Sequence, residues 1–253
     1  TEQPNKIAVT DLLGNGTACI VWSSELPAYQ NAPMRYIDLM GGIKPHIMQR
    51  HQNNMGKATE VVYKSSTHYY LEDKKKGENW ITKLAFPVQV VAKTILTESV
   101  TNVRFTSQYS YHHGYYDHAE REFRGFGRVE QLDTEEFGVF DQTGASNNVS
   151  KEHFQPPVLS KTWFHTGASP SLSGRGGVGL QFKHEYWEKG VKEFELPDAL
   201  LFAADNLGNF NIEKISTEEW REALRACKGM TLRQEVFAVE EYKTFEKGIK
   251  EAQ

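Results

Sequence analysis

The stretch 109–138, YSYHHGYYDHAEREFRGFGRVEQLDTEEFG, decides the fold class because it joins two segments with the pattern of β-strands. Over 103–112 apolar residues alternate with polar ones, and the apolar ones are Val103, Phe105, Tyr109 and Tyr111. With a period of two, successive side chains point to opposite faces of a sheet. The triplet 113–115 then predicts a turn, since Gly114 can adopt a positive φ.

The second segment, EREFRGFGRVEQ at 120–131, predicts a strand with a bulge. Strict alternation would place Phe123 and Phe126 on opposite faces of the sheet. A one-residue bulge at Gly125 would bring both rings to the same face, and glycine tolerates such a bulge. The two segments therefore predict a twisted antiparallel pair with one aromatic face and one charged face.

Strand patterns occupy much of the remaining chain. A hairpin is expected around Asn15-Gly16, since this dipeptide separates two apolar runs. Strands are expected at 59–63, 67–71, 88–98, 161–167, 178–186 and 232–240. The strand at 88–98 is expected to form a hairpin with 103–112, and a helix start inside 178–186 is the alternative to a strand there. Turns and loops are expected at 23–56, 73–79, 141–148, 167–179 and 203–211, which are rich in polar, glycine or proline residues.

One helix is expected near the end of the chain, at 216–228. Ser216 is a good N-cap, and Glu219 three residues later completes a capping box. Ile215 and Trp220 are placed to form a hydrophobic staple across the first turn. The predicted fold class is therefore mainly β, a large twisted antiparallel sheet with one late helix.

The composition excludes several function classes. The 253 residues are 25% charged and 39% hydrophobic, with a net charge of -4, so nothing indicates binding to nucleic acid. No apolar run approaches the roughly 20 residues that span a bilayer, so no membrane insertion is expected. The first residues, TEQPNKIAVTD, lack the pattern of a Sec signal. Whether the two cysteines, Cys19 and Cys227, pair with each other is left open.

Two sequence patterns weakly indicate a metal site. Asp11 and Asn15 occupy positions one and five of a calcium-type loop, but Leu13 and Cys19 stand where oxygen ligands would be needed. A plain turn is therefore favoured. The cluster His112, His113, His118 and Asp117 could bind a metal, but it matches no zinc signature, and the first two histidines should face opposite sides of the strand.

Paired carboxylates offer the best case for catalysis. Glycoside hydrolysis uses two acids around the scissile bond, and the pairs Glu120/Glu122 and Glu135/Glu136 are available. The arginines of the same segment favour a charged cross-strand ladder for the first pair. We therefore expect no enzyme, and no catalytic, cofactor-binding or metal residues. The many tyrosines and tryptophans leave a carbohydrate-binding or carbohydrate-active β-protein as an alternative.

Several stretches resemble the B component of bacterial Tc insecticidal toxin complexes, also called TcdB-like or Salmonella virulence-plasmid B-like proteins. They are VTDLLGNGTACIVWSS (9–24), PMRYIDLMGGIKPHIM (33–48) and above all YHHGYYDHAEREFRGFGRVEQLDTEEFG (111–138). The likeness continues in PPVLSKTWFHTG (156–167), LPDALL (196–201) and LRACKGMTLRQEVFA (224–238).

This resemblance implies a structural function. Residues 1–25 would end an FG-GAP-like β-propeller blade, and residues 26–253 would belong to the β-sheet shell that follows it. In that family the B and C components form a hollow Rhs/YD-repeat cocoon around a cytotoxic cargo, and the propeller gates and docks onto the pore-forming A component. Self-cleavage belongs to the C component, so no catalytic residue is implied here.

The resemblance also implies where the protein acts. Such complexes are assembled in the bacterial cytoplasm and secreted, so a secreted toxin complex is the expected location. An Rhs-type polymorphic toxin shell outside a Tc complex is a further alternative.

Overall fold

The structure is a computed structural model that describes residues 6–100, 103–135, 157–168, 182–186, 203–204, 210–211 and 215–239. The described strands are β1 Lys6–Thr10, β2 Cys19–Ser23, β3 Met34–Asp38, β4 Arg50–Gln52, β5 Lys57–Ser65, β6 Gln89–Glu98, β7 Val103–Asp117, β8 Glu122–Glu135, β9 Val158–Phe164, β10 Ala203–Ala204, β11 Phe210–Asn211 and β12 Thr231–Ala238. The described helices are α1 Ser66–Lys76 and α2 Thr217–Ala226, and neither is long and apolar enough to cross a membrane.

The strands form three sheets within the described residues. The largest has seven strands in the order β12-β9-β8-β7-β6-β5-β4, beside a three-stranded sheet β1-β2-β3 and the pair β10-β11. Neighbouring strands pair antiparallel, for example β6 with β7 and β8 with β9. The mainly-β prediction with a large antiparallel sheet is confirmed.

The chain divides into two compact units. The described residues of the first lie mainly in 6–72 and 85–108, and those of the second in 73–84, 109–134 and 157–239. Cys19 and Cys227 are both free thiols.

The first unit begins with the predicted hairpin, β1 and β2. Asp11 closes its turn, accepting hydrogen bonds from the amides of Asn15 at 3.1 Å and Gly16 at 2.7 Å. The Lys44 ammonium donates to the Gly16 carbonyl at 2.7 Å. These bonds close the turn with hydrogen bonds from the protein itself.

Two short strands interrupt the segment 23–56, which was expected to be irregular. β3 pairs with β2, with Ile37 opposite Ile20, and β4 pairs with β5. Prolines and glycines punctuate this segment so closely that strands of five and three residues leave too little alternation to be recognised.

The expected strand at 67–71 is wrong, because α1 covers it and makes the late helix one of two that the structure describes. The Ser65 hydroxyl accepts a hydrogen bond of 3.3 Å from the amide of Thr67, in the manner of an N-cap. At the other end Gly77 has a φ of +82°, and the Glu78 amide donates to the Asp73 carbonyl at 2.9 Å. This Schellman motif ends the helix.

In the second unit, β7 runs through the predicted turn at 113–115 and reaches Asp117. The hairpin turn follows at 118–121, where the Asp117 carboxylate accepts the Ala119 amide at 2.9 Å. Gly114 serves close packing instead, since a Cβ there would lie 2.9 Å from the Trp80 ring. The predicted turn lies a few residues before the observed chain reversal, because glycine is typical both of turns and of close packing contacts.

The bulge in β8 is confirmed. Gly125 has a φ of +90°, and the rings of Phe123 and Phe126 meet edge to face with centroids 5.6 Å apart. Tyr111 packs 4.9 Å from Phe126, which extends the aromatic face onto β7.

The predictions for α2 are also confirmed. Ser216 and Glu219 form the reciprocal capping box, with bonds of 3.2 and 2.8 Å. Ile215 and Cys227 pack against the buried Trp220 in a small apolar cluster. The expected loops at 141–148 and 169–179 lie outside the described residues.

Candidate functional site

The carboxylates predicted for catalysis lie at the tip of the β7–β8 hairpin and pair with cations of the α2 segment. Glu120 lies 3.9 Å from Arg221, and Glu122 accepts a hydrogen bond of 2.6 Å from Lys228. The bond from Lys228 is the main cause that lowers the pKa of Glu122, whereas a general acid for glycoside hydrolysis needs a raised pKa. These partners come from α2 and from the turn that follows it rather than from a neighbouring strand. The side chains at 135–136 lie outside the described residues.

The residues predicted as alternative metal ligands have separate surroundings. Asp117 pairs with Arg124 at 2.7 Å. Burial raises the pKa of Asp117, but backbone amides and the Arg124 charge outweigh it and hold the pKa below its usual value. His118 is exposed on the turn, while His112 and His113 are buried within β7. The predicted set therefore does not form one site.

A polar cluster, largely buried except at Glu78, forms around the two histidines instead. We call it the His–carboxylate cluster; it consists of Asp73, Glu78, His112, His113, Arg128 and Glu185.

Both histidines of the cluster reach the segment 73–82, so the expectation that they face opposite sides is wrong. His112 Nδ1 lies 2.6 Å from Asp73 Oδ2, and His113 Nδ1 accepts the Ile81 amide at 3.0 Å. His113 has a φ of 57°, a conformation uncommon for residues other than glycine. This backbone conformation breaks the alternation of the strand, and the two ring centroids lie 6.5 Å apart.

The hydrogen bonds of His113 define its tautomer. Because Nδ1 accepts the amide proton of Ile81, the ring proton lies on Nε2, which donates to Glu185 Oε1 at 2.7 Å. The Thr82 hydroxyl donates to the His113 carbonyl at 2.7 Å. Every polar atom that the ring offers is satisfied, so His113 ties the segment at 81–82 to β7.

Glu185 binds three neighbouring strands at once. Its carboxylate accepts from His113 on β7, from Arg128 on β8 at 2.9 Å and from Trp163 on β9 at 2.8 Å. Burial raises the pKa of Glu185, but the hydrogen bond from His113 and the charge of Arg128 outweigh it and lower the pKa to about 2. Glu185 lies on a single 3₁₀ turn where the sequence predicted a strand. Phe182, which is fully buried, anchors that turn in the core.

Asp73 is the second carboxylate at the centre of the cluster. Its Oδ2 accepts from both His112 Nδ1 and Trp80 Nε1, each at 2.6 Å. Burial raises the pKa of Asp73, but the hydrogen bond and charge of His112 outweigh it, so the pKa is lowered. His112 Nε2 is buried and has no hydrogen-bond partner among the described residues.

Arg128 joins the two halves of the cluster. Its guanidinium contacts Glu185 at 2.9 Å and Glu78 at 3.4 Å, and Glu130 lies 3.5 Å from its Nε. Glu130 also pairs with Lys161 at 3.3 Å. With Glu130 and Lys161 included, the group contains four carboxylates and two permanent cations. The two histidines determine the rest of its net charge.

The arrangement can therefore hold charge and cross-link strands. Asp73, Glu78 and His112 also offer donor atoms within 4.8 Å of one another, a distance compatible with one metal ion. Sequence reasoning missed Asp73, Glu78 and Glu185. Gly77 could have signalled the helix end that positions the first two, but no local signal marks Glu185.

Comparisons with known proteins place the chain in a family. A family model described as "Insecticide toxin TcdB middle/N-terminal region" matches residues 1–167. A search among curated proteins finds no match.

Solved structures share the fold. The chain is similar to the crystal structures of TcdB2-TccC3-Cdc42, with a TM-score of 0.68, and of TcdB2-TccC3-TEV, with a TM-score of 0.69. It is also similar to the structure of the Photorhabdus luminescens Tc holotoxin pore, with a TM-score of 0.66. Each match is 24% identical and covers 93% of this chain but only 10% of the other. The resemblance found in the sequence is thus confirmed, and the chain belongs to the family of insecticide toxin TcdB middle/N-terminal regions.

Proposed function

We propose that this chain is a structural, non-enzymatic segment of a Tc toxin B component. In this proposal it builds part of the hollow shell that encloses a cytotoxic cargo, together with a C component. It also joins the shell to the propeller that docks onto the pore-forming A component. The protein would be secreted as part of the assembled toxin.

The seven-stranded sheet carries this proposal. β7 has 15 residues and β8 has 14. At about 3.3 Å per residue each strand extends roughly 45–50 Å, against about 17–20 Å for an ordinary strand. Long paired strands suit a wall, because antiparallel pairing satisfies backbone hydrogen bonds between neighbours and leaves fewer open edges. The chains of similar fold, which were solved together with TccC3, support a C component as partner.

The sheet β1-β2-β3 supports the junction with the propeller. Val9, Ile20 and Ile37 lie opposite one another on a single face, and Val9 is 70% exposed. Exposed apolar faces of this kind mark surfaces that another part of a protein covers. Since β2 pairs with β3, the proposed propeller segment 1–25 and the shell that begins at 26 share one sheet.

Co-expression of the full B-type polypeptide with a C component tests the proposal. We expect hollow particles in negative-stain images and a cargo that resists added protease. The variant Gly127→Val should lose both, because a Cβ at Gly127 would lie 2.6 Å from the Phe182 ring. The matched control is Asp133→Asn on the same strand, where the side chain is exposed and keeps its size.

Two results would count against the shell. Association of the B-type and C components without a hollow particle would remove the proposed function. Intact particles with a protected cargo in Gly127→Val would show that this region of the sheet is not part of the wall.

A further inference from the structure

We propose that Asp73, Glu78 and His112 bind a divalent transition-metal ion of the Zn²⁺ class at the C-terminal end of α1. Such a site would be independent of the shell function.

The end of α1 fixes two of the three ligands. The Glu78 amide donates to the Asp73 carbonyl at 2.9 Å, and Gly77 reverses the chain between them with a φ of +82°. This motif holds both carboxylates at the same helix end, and His112 on β7 completes a set of donor atoms within 4.8 Å. The C-terminal end of a helix carries partial negative charge, so two carboxylates there favour a cation.

The imidazole of His112 supplies a second, independent observation. The side chain is 9% exposed, Nδ1 points at Asp73 Oδ2, and the buried Nε2 has no hydrogen-bond partner in the described part of the chain. The ring proton can therefore move from Nδ1 to Nε2 without breaking another hydrogen bond. Nδ1 then presents a lone pair on the side of the two carboxylates, as metal ligation requires.

The charge balance favours the same conclusion. The His–carboxylate cluster and its flanking residues contain two more carboxylates than permanent cations. One divalent ion supplies two positive charges, which matches that difference.

The surroundings of the carboxylates also fit a metal site. Trp80 Nε1 donates to Asp73 Oδ2 at 2.6 Å, and Arg128 contacts Glu78 Oε2 at 3.4 Å. Ligating carboxylates are commonly held by such outer hydrogen bonds. The Glu78 side chain is 56% exposed, which gives the ion a path from solvent.

The donor set selects the class of ion. One imidazole nitrogen and two carboxylate oxygens suit Zn²⁺, which takes three protein ligands and a water. Calcium takes six to eight oxygen ligands, so three donors with a nitrogen among them suit it poorly.

Metal content and calorimetry test the site in the full B-type polypeptide after treatment with a chelator. We expect Zn²⁺ to bind at this site with a stoichiometry of one. His112→Gln should abolish that binding, and Glu78→Gln should weaken it at least about tenfold, since even outer-shell substitutions cost about 10–100-fold. His118→Gln, which removes an exposed histidine from the same hairpin, is the matched control and should bind as the parent does.

The Glu78 variant keeps the test decisive if His112→Gln fails to fold, because the Glu78 side chain lies largely in solvent. Equal Zn²⁺ affinity in the parent and in Glu78→Gln would overturn the proposal, as would no binding by the parent. Zinc held by Cys19 or Cys227 would persist in both variants and would also overturn it.

Discussion

The sheet β1-β2-β3 and the strands β7, β8 and β9 differ in the side chains that they expose and bury. The first presents exposed apolar side chains such as Val9 and Ile37, with exposed fractions of 70% and 49%. The second region buries charged groups that pair with one another. Among them is Arg128, which is 8% exposed and pairs with Glu185. The first region therefore leaves an apolar face exposed to solvent, whereas the charged groups of the second have partners within this chain.

This difference bears on where each region would contact further parts of the proposed B component. A buried charge that loses its partner is costly, so β7, β8 and β9 are stabilised by contacts inside this chain. An exposed apolar face gains little until another surface removes it from water. The first sheet is therefore the better candidate for a junction, and the second for a wall that holds its own shape.

Replacement of one arginine in each region gives the largest expected contrast. Arg128→Ala leaves Glu185, Glu78 and Glu130 without their shared cation, and breaking such buried pairs costs about 3–5 kcal/mol. Arg35→Ala removes an exposed arginine that stacks 4.1 Å over the Tyr29 ring, which costs about 0.5–1 kcal/mol. Hydrogen exchange of the β8 and β3 amides in the full polypeptide measures each local loss. Equal losses would show that the buried charges are not what stabilises β8.

The largely buried carboxylate Glu185 should make the stability of β8 depend on pH. Its pKa falls to about 2 from an ordinary value of 4.5. A carboxyl with a lowered pKa stabilises the folded state above its ordinary value, and this stabilisation is lost as the pH falls from 4.5 towards 2.

We therefore expect Glu185→Gln to lower the free energy of opening of β8 by about 2 kcal/mol at neutral pH, the size of a hydrogen bond to a charged group. The difference between parent and variant should shrink steadily below pH 4.5. Amide exchange measured from pH 7 to pH 3 checks this, with the β3 amides of the same samples as internal control. A difference that stays constant with pH would mean that Glu185 acts through packing and not through its charge.

Local signals were enough to predict some of these features and not others. The bulge at Gly125 and the capping box of Ser216 and Glu219 were predictable because each depends on residues within a few positions. The partners of Glu185 and Asp73 were not, since His113 lies 72 residues from Glu185 and His112 lies 39 from Asp73.

Two of the wrong predictions, the strand at 67–71 and the opposite facing of His112 and His113, have related causes. The segment THYYL at 67–71 is short enough to fit a strand, and only the glycine at 77 reveals a helix end beyond it. The positive φ of His113 depends on the hydrogen bonds that its ring and carbonyl make with Ile81 and Thr82, so strand periodicity could not reveal that His112 and His113 share a side.

The smallest expected effect concerns the apolar face of the first sheet. If another part of the full polypeptide covers this face, Val9→Thr should lower the free energy of opening of β1 by about 1 kcal/mol, since a methyl group leaves an apolar contact. Val62→Thr on β5 is the matched control, because Val62 is 46% exposed within the larger sheet. Surface substitutions of that kind change stability by less than about 0.5 kcal/mol.

Amide exchange of β1 and β5 in the two variants decides between a junction and a free surface. A loss confined to Val9→Thr would locate a contact with the rest of the proposed propeller on the face that Val9 shares with Ile20 and Ile37. Equal, negligible changes would mean that this face meets solvent even in the full polypeptide. Other residues would then have to form the junction, and the proposal that β7, β8 and β9 belong to a wall would be unaffected.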